Sequence, residues 1–194
     1  LVELTVPFMK DYISTFFSTV GYASSSYNNS IPASLKKVEI LGLYKRTATA
    51  YIDVGSGAFS NATNIEEVIL PDSIKYIRDY AFYGDINLES INLANTILIG
   101  KSAFQNCEKI KDLDLKKVYA IGVSAFEGCS SLVSADLTAL RNTGQRTFKD
   151  CTSLTTLKLS SNLTSIGDYA FEGCSSLTSV QIPDTLEYYG TMGN

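Results

Sequence analysis

Phenylalanine recurs at positions 59, 82, 104, 126, 148 and 171, at separations of 23, 22, 22, 22 and 23 residues, and a phrase travels with it. "SAFEGCSSL" at 124–132 returns at 170–177 as "AFEGCSSL". Four residues before each Phe stands Gly55, Arg78, Gly100, Gly122, Gly144 or Gly167, preceded by Val54, Ile77, Ile99, Ile121, Thr143 or Ile166. Six residues after it comes Ile65, Leu88, Ile110, Leu132, Leu154 or Leu177. A period this short is the strongest constraint in the chain. One such unit cannot bury its own apolar stripe, so units must stack and share one interior.

After each Phe an alternating segment follows: "VIL" 68–70, "INL" 91–93, "LDL" 113–115, "ADL" 135–137, "LKL" 157–159 and "VQI" 180–182. Apolar, variable, apolar is the period of a half-buried strand. "LVELTVP" at 1–7 and "LKKVEIL" at 35–41 fit the same frame, so eight short strands are expected, paired in parallel. The period lies in the range of leucine-rich repeats.

The unit "IGDYAFEGCSSLTSVQIPDTL" at 166–186 resembles the repeat of the BspA-like leucine-rich proteins, a surface-protein family of bacteria and some parasitic protists, and the resemblance covers residues 51–186. Ala62 and Asp85 depart from its Cys, Arg78 from its Gly, and "NTGQRTF" at 142–148 from its Ile-Gly-x-x-Ala-Phe. The implied fold is an α/β leucine-rich-repeat solenoid, a right-handed coil with a parallel sheet on its concave side and turns or short helical pieces on the other. Residues 1–194 read as a single domain: divergent repeats with a helical insertion over 1–50, regular repeats over 51–186, and the start of a truncated repeat at 187–194. A fragment of a longer chain is expected.

Charge narrows the partners. Sixteen Lys and Arg against 20 Asp and Glu give a net charge of −4, and no basic run exceeds a pair such as Lys36-Lys37, which speaks against nucleic acid. No apolar stretch approaches the about 20 residues of a membrane-spanning helix. Histidine is absent, which removes His-dependent triads and His-ligated metals. No phosphate-cradling glycine loop appears, so a non-enzymatic protein without a cofactor is expected.

Cys107, Cys129, Cys151 and Cys174 each follow the repeat Phe by three residues, which puts them in one column. An even count in a secreted protein can mean disulfides. Equivalent positions of stacked coils point the same way, however, whereas a disulfide needs Cβ atoms about 3.8 Å apart and approaching each other. Buried reduced thiols are the plainer reading; zinc fits less, because no Cys-x-x-Cys occurs.

The strand positions facing solvent include Glu39, Glu67, Asn92, Asp112, Asp114, Asp136, Lys158 and Gln181. Asp112, Asp114 and Asp136 would form an acidic patch, with Asp114 beside Asp136 on adjacent strands and Lys158 one strand further. A cation or a basic peptide could be held there; a solvated face that keeps the sheet soluble is the plainer alternative.

In the insertion, "FMKDYISTFF" at 8–17 carries the four-residue apolar spacing of a helix face and reads as a cap. "YASSSYNNS" at 22–30 has the composition of recognition loops, with Tyr22, Tyr27, Asn28 and, from 41–51, Tyr44 as candidate contacts, the three tyrosines also as sugar-stacking platforms. Polar loops are more often only loops. The family resemblance implies a secreted or surface-exposed module that attaches to host or neighbouring-cell proteins, with host extracellular-matrix proteins as candidate partners. A spacer that holds another domain away from the cell and a carbohydrate-binding module are the alternatives.

Overall fold

A computed structural model describes residues 3–7, 34–41 and 52–191 of the protein. Within these, thirteen short strands pair in parallel and no helix occurs. The α/β expectation is corrected to an all-β solenoid of about six coils, and the single row of eight strands to two separate sides of the coil.

The first side carries the alternating segments. β1 (Glu3–Pro7), β2 (Lys37–Leu41), β4 (Glu67–Ile69) and β6 (Ser90–Ile91) form a four-stranded sheet; β9 (Ser134–Leu137) and β11 (Thr156–Leu159) form a pair further along. Glu3 pairs Lys37 and Lys37 pairs Glu67, so the first coils are 34 and 30 residues long, while Glu67 pairs Ser90 at 23. Two expected strands are missing. "LDL" forms no strand, only Asp112 just before it making an isolated bridge to Ser134, and "VQI" has no ladder. At the first of these the cause is local: the Asp114 carboxylate accepts a hydrogen bond from the Lys116 backbone N–H at 3.2 Å, a turn-like bond that competes with strand pairing, and Asp is a poor strand former.

The second side was not read from the sequence at all. β3 (Ile52–Val54), β5 (Ile74–Ile77), β7 (Leu98–Ile99), β8 (Ala120–Ile121), β10 (Asn142–Thr143), β12 (Ser165–Ile166) and β13 (Tyr188–Tyr189) make a seven-stranded sheet from the residues that precede the repeat glycine. Here the backbones nearly touch: a Cβ on Gly122 would lie 2.5 Å from the Lys101 nitrogen of the preceding coil. Only glycine allows that approach. At Thr143 the usual Ile is lost, but its hydroxyl accepts the Gly167 N–H at 2.9 Å and keeps the coils tied.

The third side holds the Ala-Phe turns. Ser102, Phe104 and Asn106 donate their N–H groups to the next coil's Val123, Ala125 and Glu127 carbonyls at 2.8–2.9 Å, while Gln105 and Cys107 bond three residues back within the coil, so no continuous helical ladder forms. The bonds require left-handed backbone two residues before and two residues after each Phe. At the second of these columns, residues alternate strictly between Asx and glycine: Asn61, Gly84, Asn106, Gly128, Asp150, Gly173. Asn and Asp tolerate this conformation better than other side chains. Each Asx fills the space over the next coil's glycine, Asn106 Oδ1 lying 2.5 Å from where a Gly128 Cβ would be. Gly128→Ala should therefore cost about 1–3 kcal/mol in urea unfolding. Adding Asn106→Gly to Gly128→Ala removes the overlapping carboxamide and should recover part of that loss, the left-handed strain at position 128 remaining.

Between the three sides lies the core. The six Phe rings stack nearly parallel, with centroids 5.0, 5.1, 5.4, 5.3 and 5.8 Å apart, and Phe59 through Phe148 are fully buried. Ile65, Leu88, Ile110, Leu132 and Leu154 pack into the same buried cluster. The four cysteines are free and buried. Each thiol donates to the carbonyl of the preceding coil's Phe: Cys107 to Phe82 at 3.0 Å, then Cys129 to Phe104, Cys151 to Phe126 and Cys174 to Phe148 at 3.1 Å. Burial pushes the Cys129 thiol up to about 12 and that of Cys174, at the end of the column, to about 11, so these are unreactive structural groups.

Candidate functional site

The predicted solvent-facing residues separate into three groups. At one end of the first sheet, Lys37 bridges Glu67 at 3.4 Å and Glu3 at 3.8 Å, and Glu39 is half-buried beside them in register with Ile69. These are exposed ion pairs, worth about 0–1 kcal/mol each.

Asn92 has a structural task. Its amide accepts from the Leu70 N–H and donates to the Leu70 carbonyl, both at 2.7 Å, and so continues the pairing of adjacent coils where the β4–β6 ladder stops. Gln181 is exposed near the other end, lining a groove with Thr138, Lys158 and Ile182.

In the middle the geometry concentrates charge. Asp112 pairs Ser134 and Asp136 pairs Lys158, which brings Asp112, Asp114, Asp136 and Lys158 around one open groove of about 410 Å³ together with Lys116, Ser134 and Thr156. Lys158 Nζ lies 3.6 Å from Asp136 Oδ2. Asp136 Oδ1 is shut off from solvent with no hydrogen-bond partner among the described residues. A buried carboxylate oxygen left without a donor is unfavourable. Among the described residues no three His, Cys, Asp or Glu side chains are grouped tightly enough to hold a metal ion. The arrangement suits a cationic side chain better than a bare ion.

Tyr22, Tyr27, Asn28 and Tyr44 lie outside the described residues. Sequence reasoning missed a second surface feature, on the turn side. Tyr80, Arg146 and Tyr169 occupy the left-handed column two residues before the Phe, where the other coils carry Gly57, Ser102 and Ser124. A bulky side chain at positive φ was the available signal, but it is visible only once the turn geometry is known.

Comparison with known proteins places these features. No curated protein matches the chain. Among solved structures it is similar to a leucine-rich cell surface protein of Faecalibacterium prausnitzii (25% identity, TM-score 0.71, covering 79% of this chain and 43% of that one). It is also similar to a leucine-rich repeat protein of T. pallidum (26%, TM-score 0.71, covering 79% and 72%) and to one of Eubacterium ventriosum (27%, TM-score 0.60, covering 82% and 40%). The chain thus spans less than half the length of two of these three relatives. No helix among the described residues is long and apolar enough to cross a membrane. The model of the BspA type leucine-rich repeat region, six copies long, matches residues 47–139 and 99–192, and with the Phe spine and repeat glycines in place the chain belongs to that family.

Proposed function

We propose that this chain is a non-enzymatic protein-interaction module of a secreted or surface-exposed bacterial protein, an adhesin that holds a basic segment of a host or neighbouring-cell protein. The groove between Asp112, Asp114 and Asp136 is where contact is made. One observation carries the reading: three carboxylates and two lysines line a single open groove, which leaves a net negative charge for a cationic partner. The cell-surface name of the Faecalibacterium relative and the family's repeat support the setting.

Asp112→Ser, Asp114→Ser and Asp136→Ser together should leave the fold intact, since Ser stands at 90, 134 and 179, the equivalents of 112, and the equivalents of 114 and 136 vary among Asn92, Lys158 and Gln181. Binding to immobilised extracellular-matrix proteins at about 0.15 M salt should weaken at least tenfold, and wild-type binding should fall steeply as salt rises. Equal binding by both forms would remove the patch. The spacer role rests on a different observation, the unbroken Phe stack and interlocking coils, which make the module stiff along its axis.

A further inference from the structure

The turn side carries a groove of about 830 Å³, remote in the coil from the acidic patch and lined by Tyr80, Tyr83, Lys101, Ser102, Ser124 and Arg146. We propose that it binds an acidic sugar within a glycan chain.

The groove's shape comes from the column two residues before each Phe. Ser102 and Ser124, nearly buried, form a hydroxyl-bearing floor two coils wide. Tyr80 and Arg146 stand at its two ends in the same left-handed conformation, with φ of 58° and 55°. That conformation is unfavourable for a residue with a β-carbon, more so for a large one, and Gly or Ser would meet the needs of the turn. Strain retained in bulky side chains that point to solvent is the pattern of a binding site rather than of a core.

Three observations narrow the ligand. Backbone groups of the floor are already consumed, because the Tyr80, Ser102, Ser124 and Arg146 N–H groups all bond the next coil's carbonyls at 2.8–2.9 Å. An added peptide strand therefore has no edge to join. What remains are rings, hydroxyls and charges. Tyr80 and Tyr83 meet edge to face at 6.0 Å, giving an apolar platform for the face of a pyranose, and the serine floor offers hydrogen bonds to hydroxyls. Finally, Lys101, with its Nζ 5.6 Å from the Tyr80 ring centroid, and Arg146 outnumber the groove's single carboxylate, Glu127, on a chain of net charge −4. A carboxylated sugar satisfies all of these at once, and coils about 4.8 Å apart present contacts at an interval comparable to that of successive sugars.

The test uses oligogalacturonate as probe, neutral maltohexaose as its uncharged counterpart and hexaglutamate as an acidic peptide, each titrated by calorimetry. Tyr80→Ser and Arg146→Ser copy residues 102 and 124 of the neighbouring coils, so both should fold with unchanged melting temperature. Wild-type protein should bind oligogalacturonate at least about tenfold more tightly than maltohexaose or hexaglutamate, and each variant should lose at least about tenfold of that affinity. The triple Asp-to-Ser variant should bind it undiminished, which separates this site from the acidic patch. Equal binding of neutral and charged sugars, or variants that bind as wild type, would overturn the proposal. Hexaglutamate binding as tightly with the same dependence on Tyr80 and Arg146 would also overturn it, in favour of an acidic peptide.

Discussion

Phe126→Ala should lower stability by about 3–5 kcal/mol, and Phe171→Ala by less than half as much, when each is measured by urea unfolding. The ring of Phe126 is fully buried between two others, 5.4 Å from that of Phe104 and 5.3 Å from that of Phe148. Its removal deletes two stacking contacts and leaves a cavity that the hydrogen-bonded turns on either side cannot close. Phe171 has one stacked neighbour, at 5.8 Å, and is only partly buried. In a quasi-one-dimensional fold the place of the lesson matters as well as its size, because a weakened central interface can uncouple the coils on either side. A broadened or two-step transition for Phe126→Ala, with a single transition for Phe171→Ala, is the expected signature. Similar losses for both variants would mean that the Phe column does not act as a continuous spine.

The sequence exposes this spine because a buried aromatic recurring once per coil is a long-range signal that local drift does not erase. Its strands on the first side were legible for a similar reason, as apolar residues two apart declare a half-buried strand. The second sheet was not. Most of its strands are two residues long, Leu98–Ile99 and Ala120–Ile121 for example, and two residues contain no alternation to read. The expectation of helical pieces failed on the turn side because nothing in "SAFEGC" announces that Ser124 and Gly128 are both left-handed. The Asx-to-glycine alternation from Asn61 to Gly173 does announce it, but only across coils, since each half of a pair occupies space left by the other. At the candidate site, the neighbourhood of Asp114 and Asp136 followed from strand register. The diversion of Asn92 to Leu70 did not, because a side chain at an outward position in the pattern can still turn onto the backbone of the preceding coil.

Asp85→Cys should stabilise the protein at neutral pH by on the order of 1–3 kcal/mol and remove a fall in stability that begins near pH 4. Asp85 stands in the thiol column and is fully buried. Its Oδ1 accepts the Ala62 N–H of the preceding coil at 2.6 Å, while Oδ2 is buried without a hydrogen-bond partner among the described residues. Burial raises its carboxyl well above the usual range, and the one opposing influence is the bond from Ala62. The neighbour on the following coil is Cys107, itself held neutral by burial, so no cation offsets a charge at this point. The sign follows from proton binding. Below about pH 4 the carboxyl is protonated in both folded and unfolded chains, and stability is at its greatest. Above that, the unfolded chain releases the proton while the folded chain keeps it, so stability declines until pH passes the raised folded value. A cysteine at 85 has no such ionisation in this range, and its thiol can donate toward the preceding coil's Phe carbonyl as Cys107 does to Phe82. Asp85→Asn separates charge from shape: it keeps the acceptor for Ala62 and cannot ionise, so its stability should be flat between pH 4 and 8, where wild type declines. Parallel pH profiles for wild type and both variants would show that Asp85 is not the buried acid that sets the slope. A profile that flattens in both variants would identify one carboxyl, in a position where all four following coils carry thiols, as the point where this solenoid is weakest in neutral solution.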